Sequence, residues 1–406
     1  MIPVHHSPTS EGAPPRFRLL SALCYCAPLL VNGIVLPFFP VWLATHSFSD
    51  HEIGIILAIP MVVRVLVAPI VAMIADRLKE RADVLLWSGG LSLLTTIALY
   101  WTTSFWPVTI VYALQGATFA PYLPVVESIV ISGVRRWGLD YGSMRVWGSI
   151  AFIASTLVGG QLVSRWGGGM VLIVMVFGFT MTIVMAIFCP RIGPTRRRGQ
   201  PINIPAATGS GLREPHLLLL LIGVAIQQSS HAVLNTFSSI YWHQLGFSGA
   251  EIGLLWSAGV ASEVTVFFLS KRLNRRFDAW TLIRFGCAVS VCRWILFPMN
   301  TGFAGFFLLQ CFHGFTYAFV HTGVQRRIVA TVQETQESSA QGAYFFYVGM
   351  AMALMTLASG YLYAWLGVVS YYVMALVALC GLGIVIAAYY LQPQRLLSGG
   401  KTREAA

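Results

Sequence analysis

Five charged side chains of this 406-residue chain lie inside apolar runs: Arg64, Glu127, Arg145, Glu263 and Arg293. His231, His313 and His321 share such surroundings. An ionisable group at membrane depth costs several kcal/mol unless it is paired, so each is a candidate for function. Glu127 and Arg145 flank a tight turn and can pair; Glu263 and Arg293 are similarly placed around a later one. Three arginines against two glutamates leave one positive charge in excess. Arginine does not shed its proton, so an anion would stabilise the surplus cation, and a carboxylate fits the planar guanidinium fork. A carboxyl or a histidine in such a cavity can take up a proton near neutral pH. The set therefore offers Glu127, Glu263, His313 and His321 for a proton, and Arg64, Arg145, Arg293 and His231 for an anionic solute. The same residues could instead hold helices in register, with Arg64 snorkelling and the histidines bonding neighbouring helices.

The elements that position these groups follow from composition. The chain is 56% hydrophobic and only 10% charged, with a mean hydropathy of +0.72, too apolar to cover a water-facing surface. Apolar windows of roughly the 20 residues that cross a hydrocarbon core recur at about 17–45, 51–76, 82–103, 105–133, 140–164, 168–189, 216–245, 250–271, 279–299, 302–328, 338–365 and 368–391. The expected fold class is an all-α membrane protein of twelve transmembrane helices. Lys and Arg gather in every second loop, as at Arg77, Lys79 and Arg81, at Arg135 and Arg136, and at Arg196, Arg197 and Arg198. The loops near 46–51, 101–106, 246–250, 299–303 and 365–370 have none, and the one near 165 has only Arg165. Positive loops stay in the cytoplasm, so both termini are expected there. The net charge of +11 is thereby a topology signal and does not imply nucleic acid.

The longest polar stretch, 190–214, divides the spans six and six. It gives a tail at 1–15, an N-terminal bundle at 16–189, a cytoplasmic linker at 190–214, a C-terminal bundle at 215–392 and a cytoplasmic tail at 393–406. The halves echo each other: Glu52-Ile53-Gly54-Ile55 and Glu251-Ile252-Gly253-Leu254 open the second and eighth spans. Gln115 precedes Tyr122 as Gln310 precedes Tyr317, and Gly142 with Gly160 matches Gly342 with Gly360. Such a repeat about an axis along the membrane normal belongs to rocking transporters. Pro37, Pro40, Pro60, Pro69, Pro121 and Pro124 are expected to interrupt the first-half helices beside a cavity. Seven cysteines within apolar runs read as small buried residues, not a disulfide framework. No short apolar leader with a cleavage site precedes the first span.

Other functions find little support. His51-Glu52 has no second histidine at zinc-protease spacing, since Ile55 stands there, and no Gly-x-Ser-x-Gly elbow occurs. Gly400-Lys401-Thr402 mimics the end of a P-loop, but Arg395 replaces its first glycine. A membrane-embedded enzyme or a channel remains the alternative from another class. Asn32, Tyr122 and Tyr241 are further solute-binding candidates on the first, fourth and seventh spans.

Four segments carry a resemblance. Ala75-Asp76-Arg77-Leu78-Lys79 resembles a reduced form of the major facilitator signature after the second span. Leu139-Asp140-Tyr141-Gly142-Ser143-Met144-Arg145-Val146-Trp147-Gly148-Ser149 resembles the 3-phenylpropionic acid transporter family of the lactose-permease-like branch. So do Arg293-Trp294 and the tenth span, Gln310 to Ala318 with His321. The resemblance runs from the first span to the twelfth. It implies two six-helix bundles and proton symport of a small solute by alternating access across a bacterial inner membrane. It implies no cofactor beyond the coupling proton, and a monomer with only the lipid bilayer and its solute, expected to be an organic acid, as partners. Asp76, Arg77, Asp140 and Gly142 are expected to serve the conformational change. The branch pattern of acid, Arg, acid, Arg and His on spans four, five, eight, nine and ten maps onto Glu127, Arg145, Glu263, Arg293 and His313 or His321. One departure is that no acid accompanies the histidine on the tenth span, where Thr322, Gly323, Val324 and Gln325 follow His321. The proton then falls to Glu263, Glu127 or a histidine. Sugar and nucleoside carriers in the same branch leave a neutral solute open.

Overall fold

The computed structural model describes residues 13–75, 80–192, 214–333 and 336–392, all helix and short connections with no strand among them. The first expected bundle forms α1 (Phe17–Thr45), α2 (Asp50–Ala75), α3 (Ala82–Ala98), α4 (Phe105–Phe119), α5 (Tyr122–Trp137), α6 (Tyr141–Trp166) and α7 (Met170–Phe188). The second forms α8 (Pro215–Ser229), α9 (Ala232–Gln244), α10 (Gly249–Arg276), α11 (Ala279–Leu296), α12 (Gly302–Cys311), α13 (Val320–Thr331), α14 (Glu337–Leu366) and α15 (Ser370–Leu391).

Ten described stretches are long and apolar enough to cross a membrane; one of them, Ser339–Leu391, contains most of α14 and all of α15. The 26-residue α2, which carries Arg64, is a further long helix outside those ten. Large side chains such as Phe268, Trp365, Trp101 and Tyr390 stand exposed, as a lipid-facing surface allows. Exposed Trp101, Trp106, Trp166 and Trp365 lie near helix ends, where an aromatic belt meets the headgroups.

Three expected spans are broken rather than continuous. The fourth stops at Ala120-Pro121, because proline has no N–H to donate and its ring crowds the preceding turn. The seventh stops at Ser230-His231, where the Ser230 hydroxyl donates to the Gln227 carbonyl and competes with the helical ladder. The tenth passes from α12 through a π-helical stretch, Gly314–Phe319, into α13. The prolines do less than expected: Pro37 and Pro40 lie inside a continuous α1, and Pro60 inside a continuous α2. Pro124 occupies the first turn of α5, where a missing N–H costs nothing.

The described residues form two compact units. One holds residues up to 192 with Trp242–Ser257; the other holds 214–241 and the residues from 258 onward. The expected linker, 190–214, lies almost wholly outside the described residues. In the first unit Tyr25, Leu85, Tyr122, Val126, Val130 and Met144 build the core below α1, α3, α5 and α6. Gly33 lets α1 approach α6 until a Cβ would meet the Phe152 carbonyl, and Thr156 donates to the Gly33 carbonyl at 2.8 Å. In the second unit Leu220, Val224, Ile283, Val320, Val324 and Val385 do the same work, and Gly223 faces Gly381 across α8 and α15.

The echoed Glu52 and Glu251 have one local function. Each carboxylate accepts from the backbone N–H and the hydroxyl of a serine three residues earlier, at 2.9 and 2.6 Å for Ser49 and at 2.8 and 2.7 Å for Ser248. These are capping boxes that start α2 and α10. All seven cysteines are free.

Candidate functional site

The deepest polar assembly belongs to the second unit, where the π-helical stretch widens the turn of the tenth span. Arg293, near the end of α11, is fully buried. Its Nη2 donates to Gln310 Oε1 at 2.5 Å, and its Nη1 faces Thr316 Oγ1 at 3.3 Å and His313 Nδ1 at 3.4 Å. A guanidinium only donates, so His313 Nδ1 acts as acceptor and the ring hydrogen sits on Nε2. That Nε2 lies 3.7 Å from Glu263 Oε2, at the middle of α10. The expected Glu263–Arg293 pair is thus not direct: a neutral imidazole stands between the two charges. Glu263 and His313 keep 26% and 23% of their side-chain surface open, while Arg293 keeps none.

His231 closes the assembly from the α8–α9 break. Its Nδ1 donates to the Gln228 carbonyl at 3.1 Å, which leaves Nε2 to accept from the Thr316 hydroxyl at 3.0 Å. The Thr316 carbonyl, freed by the π turn, accepts from Gln227 Nε2 at 3.1 Å and Gln228 Nε2 at 3.3 Å. Gln227 also donates to Ser290 Oγ at 2.6 Å. Helix breaks and amide side chains therefore satisfy one another and hold Arg293 in place.

The first unit treats its carboxylate differently. Glu127, on α5, accepts from Tyr25 Oη of α1 at 2.7 Å and also from Tyr141 Oη at the start of α6. Arg145, one turn beyond Tyr141, lies with its guanidinium carbon 5.3 Å from the Tyr25 ring centre, a cation–π contact. No ion pair joins Glu127 and Arg145 among the described residues; phenols replace the expected contact. Both side chains stay partly exposed. Arg64 is exposed on α2 and makes no hydrogen bond or ion pair among the described residues.

The other expected residues are dispersed. Asn32 is half-buried on α1. Tyr122 is buried and donates to the Thr182 carbonyl at 2.7 Å, a brace between α5 and α7. Tyr241 is buried edge-on to Phe306, with ring centres 5.8 Å apart. His321 faces the Tyr344 hydroxyl at 3.2 Å. Asp140 caps α6, accepting from the N–H groups of Gly142 and Ser143 at 3.2 and 3.0 Å. Gly142 is exposed in that first turn. Asp76 and Arg77 lie outside the described residues. Tyr25, Gln227, Gln228 and Ser290 were not expected. Adjacent glutamines inside an apolar run were the available signal for two of them, whereas Tyr25 is one aromatic residue among many.

Long apolar helices built around buried, hydrogen-bonded charges define a multi-pass membrane protein of the transporter class. The chain belongs to the MFS_1 like family, which matches residues 26–374. It is 29% identical over 365 residues to the probable 3-phenylpropionic acid transporter of Escherichia coli K12, covering 88% of this chain and 94% of that one. The maltose permease of Geobacillus stearothermophilus is 23% identical over 280 residues, covering 68% of this chain and 70% of its own. The crystal structure of the nucleoside transporter NupG superposes with a TM-score of 0.80 at 15% identity, covering 92% of this chain and 98% of that one. The fold is that of a major facilitator transporter. The relatives are carriers of small molecules and not enzymes, and the chain is a secondary transporter for a small solute.

Proposed function

We propose that this transporter is a proton symporter that imports a small aromatic carboxylate such as 3-phenylpropionate by alternating access. It would act in a bacterial inner membrane with both termini in the cytoplasm. The observation that carries the reading is the line Glu263–His313–Arg293, a partly open carboxylate tied through a neutral imidazole to a fully buried guanidinium. Protonating Glu263 removes the negative end of that line and leaves Arg293 as an uncompensated buried cation, a state that favours another conformation or an incoming anion. Glu263 is the proton carrier in this account, and Glu127 with its two phenols belongs to the solute side.

A carboxylate solute is supported by Arg64 and Arg145. Both are at least partly exposed and neither has an acid within ion-pair distance among the described residues. The similarity to the probable 3-phenylpropionic acid transporter points the same way. A neutral sugar or nucleoside is the second reading. It is favoured by Glu127, which accepts from two hydroxyl groups as it would from a polyol. Uptake into proteoliposomes of labelled aromatic acids, sugars and nucleosides, with and without a pH gradient, tests both. Acid uptake driven by external acidity is the expected result. Sugar or nucleoside uptake without acid uptake would replace the solute assignment, and indifference to the gradient would remove proton coupling.

A further inference from the structure

The tenth span carries a second polar feature that the Glu263 line does not use. From His313 onward every fourth residue is polar: His313, Tyr317, His321 and Gln325. This spacing puts them on one face of the helix, over about 18 Å of rise. All four are partly exposed, whereas Ala318, Val320, Val324 and Ile328 beside them are buried. The rings lie nearly parallel. The centres of His313 and Tyr317 are 5.5 Å apart with planes at 9°, and those of Tyr317 and His321 are 6.0 Å apart at 7°. α14 continues the row from across the seam. Tyr344 Oη meets His321 Nδ1 at 3.2 Å, and the amides of Gln341 and Gln325 donate to each other.

We infer that this row is a proton path joining Glu263 to the cytoplasmic end of the second unit, with Tyr317, His321 and Tyr344 as its relay groups. It rests on the symport reading above and adds where the proton leaves. The row starts at Glu263, 3.7 Å from His313, and ends near Arg326 and Arg327, whose charges mark the cytoplasmic side. Histidine and tyrosine can each accept one proton while releasing another. His321 takes a proton at one ring nitrogen and gives one from the other. A phenol gains a proton on oxygen as it loses its own. No relay group is left charged: Glu263 returns to the carboxylate at the end of its line to Arg293, and each proton that leaves it is balanced by one delivered to the cytoplasm. Rings about 6 Å apart do not exchange protons directly, but a single bridging water spans such a gap. The groups facing the row are Glu263 from α10, Arg293 from α11 and His231 beside His313, and Tyr344 from α14 with Phe267 from α10 beside His321. A seam that served only to hold α13 against α14 would need the hydrogen bonds but no group able to take up one proton while releasing another.

Two variants separate these roles in purified, reconstituted protein. His321→Gln can keep a hydrogen bond to Tyr344 but cannot relay a proton, and Tyr317→Phe keeps the stacked ring without its hydroxyl. Each should slow net proton-coupled solute flux at least about tenfold while leaving solute-for-solute exchange at the wild-type rate. Equal net flux in wild type and both variants, or a parallel loss of net flux and exchange, would overturn the path. Solute-induced alkalinisation by wild type is the control. If wild type shows none, the symport reading has failed and the path with it; if wild type and His321→Gln alkalinise at the same rate, the path alone has failed.

Discussion

Glu127 in the first unit and Glu263 in the second both sit well inside a helix, yet their surroundings oppose each other. Glu127 is held by two phenols, with Arg145 against the ring of one of them. Glu263 faces the imidazole of His313, and beyond it Arg293 is sealed among Gln310, Thr316 and His313. Hydroxyl groups can be exchanged for those of an incoming molecule, because a new donor replaces an old one at little net cost. A buried guanidinium cannot be left without its partners so cheaply. The first arrangement suits recognition and the second suits coupling, since a proton on Glu263 is felt along the whole line to Arg293.

Several substitutions break or sharpen this division. The largest effect is expected from Glu263→Gln, which should remove acid-driven accumulation while solute-for-solute exchange survives; Glu127→Gln should impair both. If Glu263→Gln accumulates solute normally and Glu127→Gln does not, the roles of the two units are reversed.

Arg64→Gln comes next. A charge-assisted contact is worth about 1.5–3 kcal/mol, so apparent affinity for an aromatic monocarboxylate should fall roughly ten- to a hundredfold. Arg64→Lys should recover only part, because an ammonium lacks the planar two-point fork. The primary amide of the same solute should bind wild type poorly and the Gln variant no worse. Equal transport of acid and amide by wild type would favour the neutral-solute reading.

Tyr141→Phe removes one of the two phenols on Glu127 and leaves Tyr25. Solute affinity should change by about tenfold or less, with solute-induced proton uptake per molecule unchanged. A change in that ratio would connect Glu127 to coupling and blur the contrast. The smallest effect belongs to Tyr122→Phe. Losing the bond to the Thr182 carbonyl should lower stability by about 1 kcal/mol in a detergent melt and leave transport kinetics as they are. A loss of solute affinity there would return Tyr122 to the binding set.

How much of this was legible in the sequence depends on contrast. Charged residues within apolar runs stand out, so Glu127, Arg145, Glu263 and Arg293 were visible as depth charges without any structure. Their partners were not. Tyr25 lies 102 residues from Glu127 in sequence, and an aromatic residue in a membrane helix has no distinguishing signal. The two direct ion pairs were the natural expectation for opposite charges flanking short turns. The structure inserts His313 into one and phenols into the other, because the π-helical turn and the first turn of α6 set side-chain directions that spacing alone does not reveal. Helix existence was likewise legible from hydropathy, but the breaks at Ser230 and after Phe312 were not. Both depend on side chains that take over backbone hydrogen bonds, a choice made by tertiary neighbours such as Gln227 and Ser262.

The central claim, that solute and proton move together through Glu263, is tested most directly with a pH electrode. Reconstituted wild-type protein in lightly buffered medium, with no pre-set gradient, should alkalinise the outside when an aromatic monocarboxylate is added. The Glu263→Gln variant should bind the same solute without any pH change. Solute entry by wild type with no alkalinisation, or alkalinisation that persists in Glu263→Gln, would contradict the account.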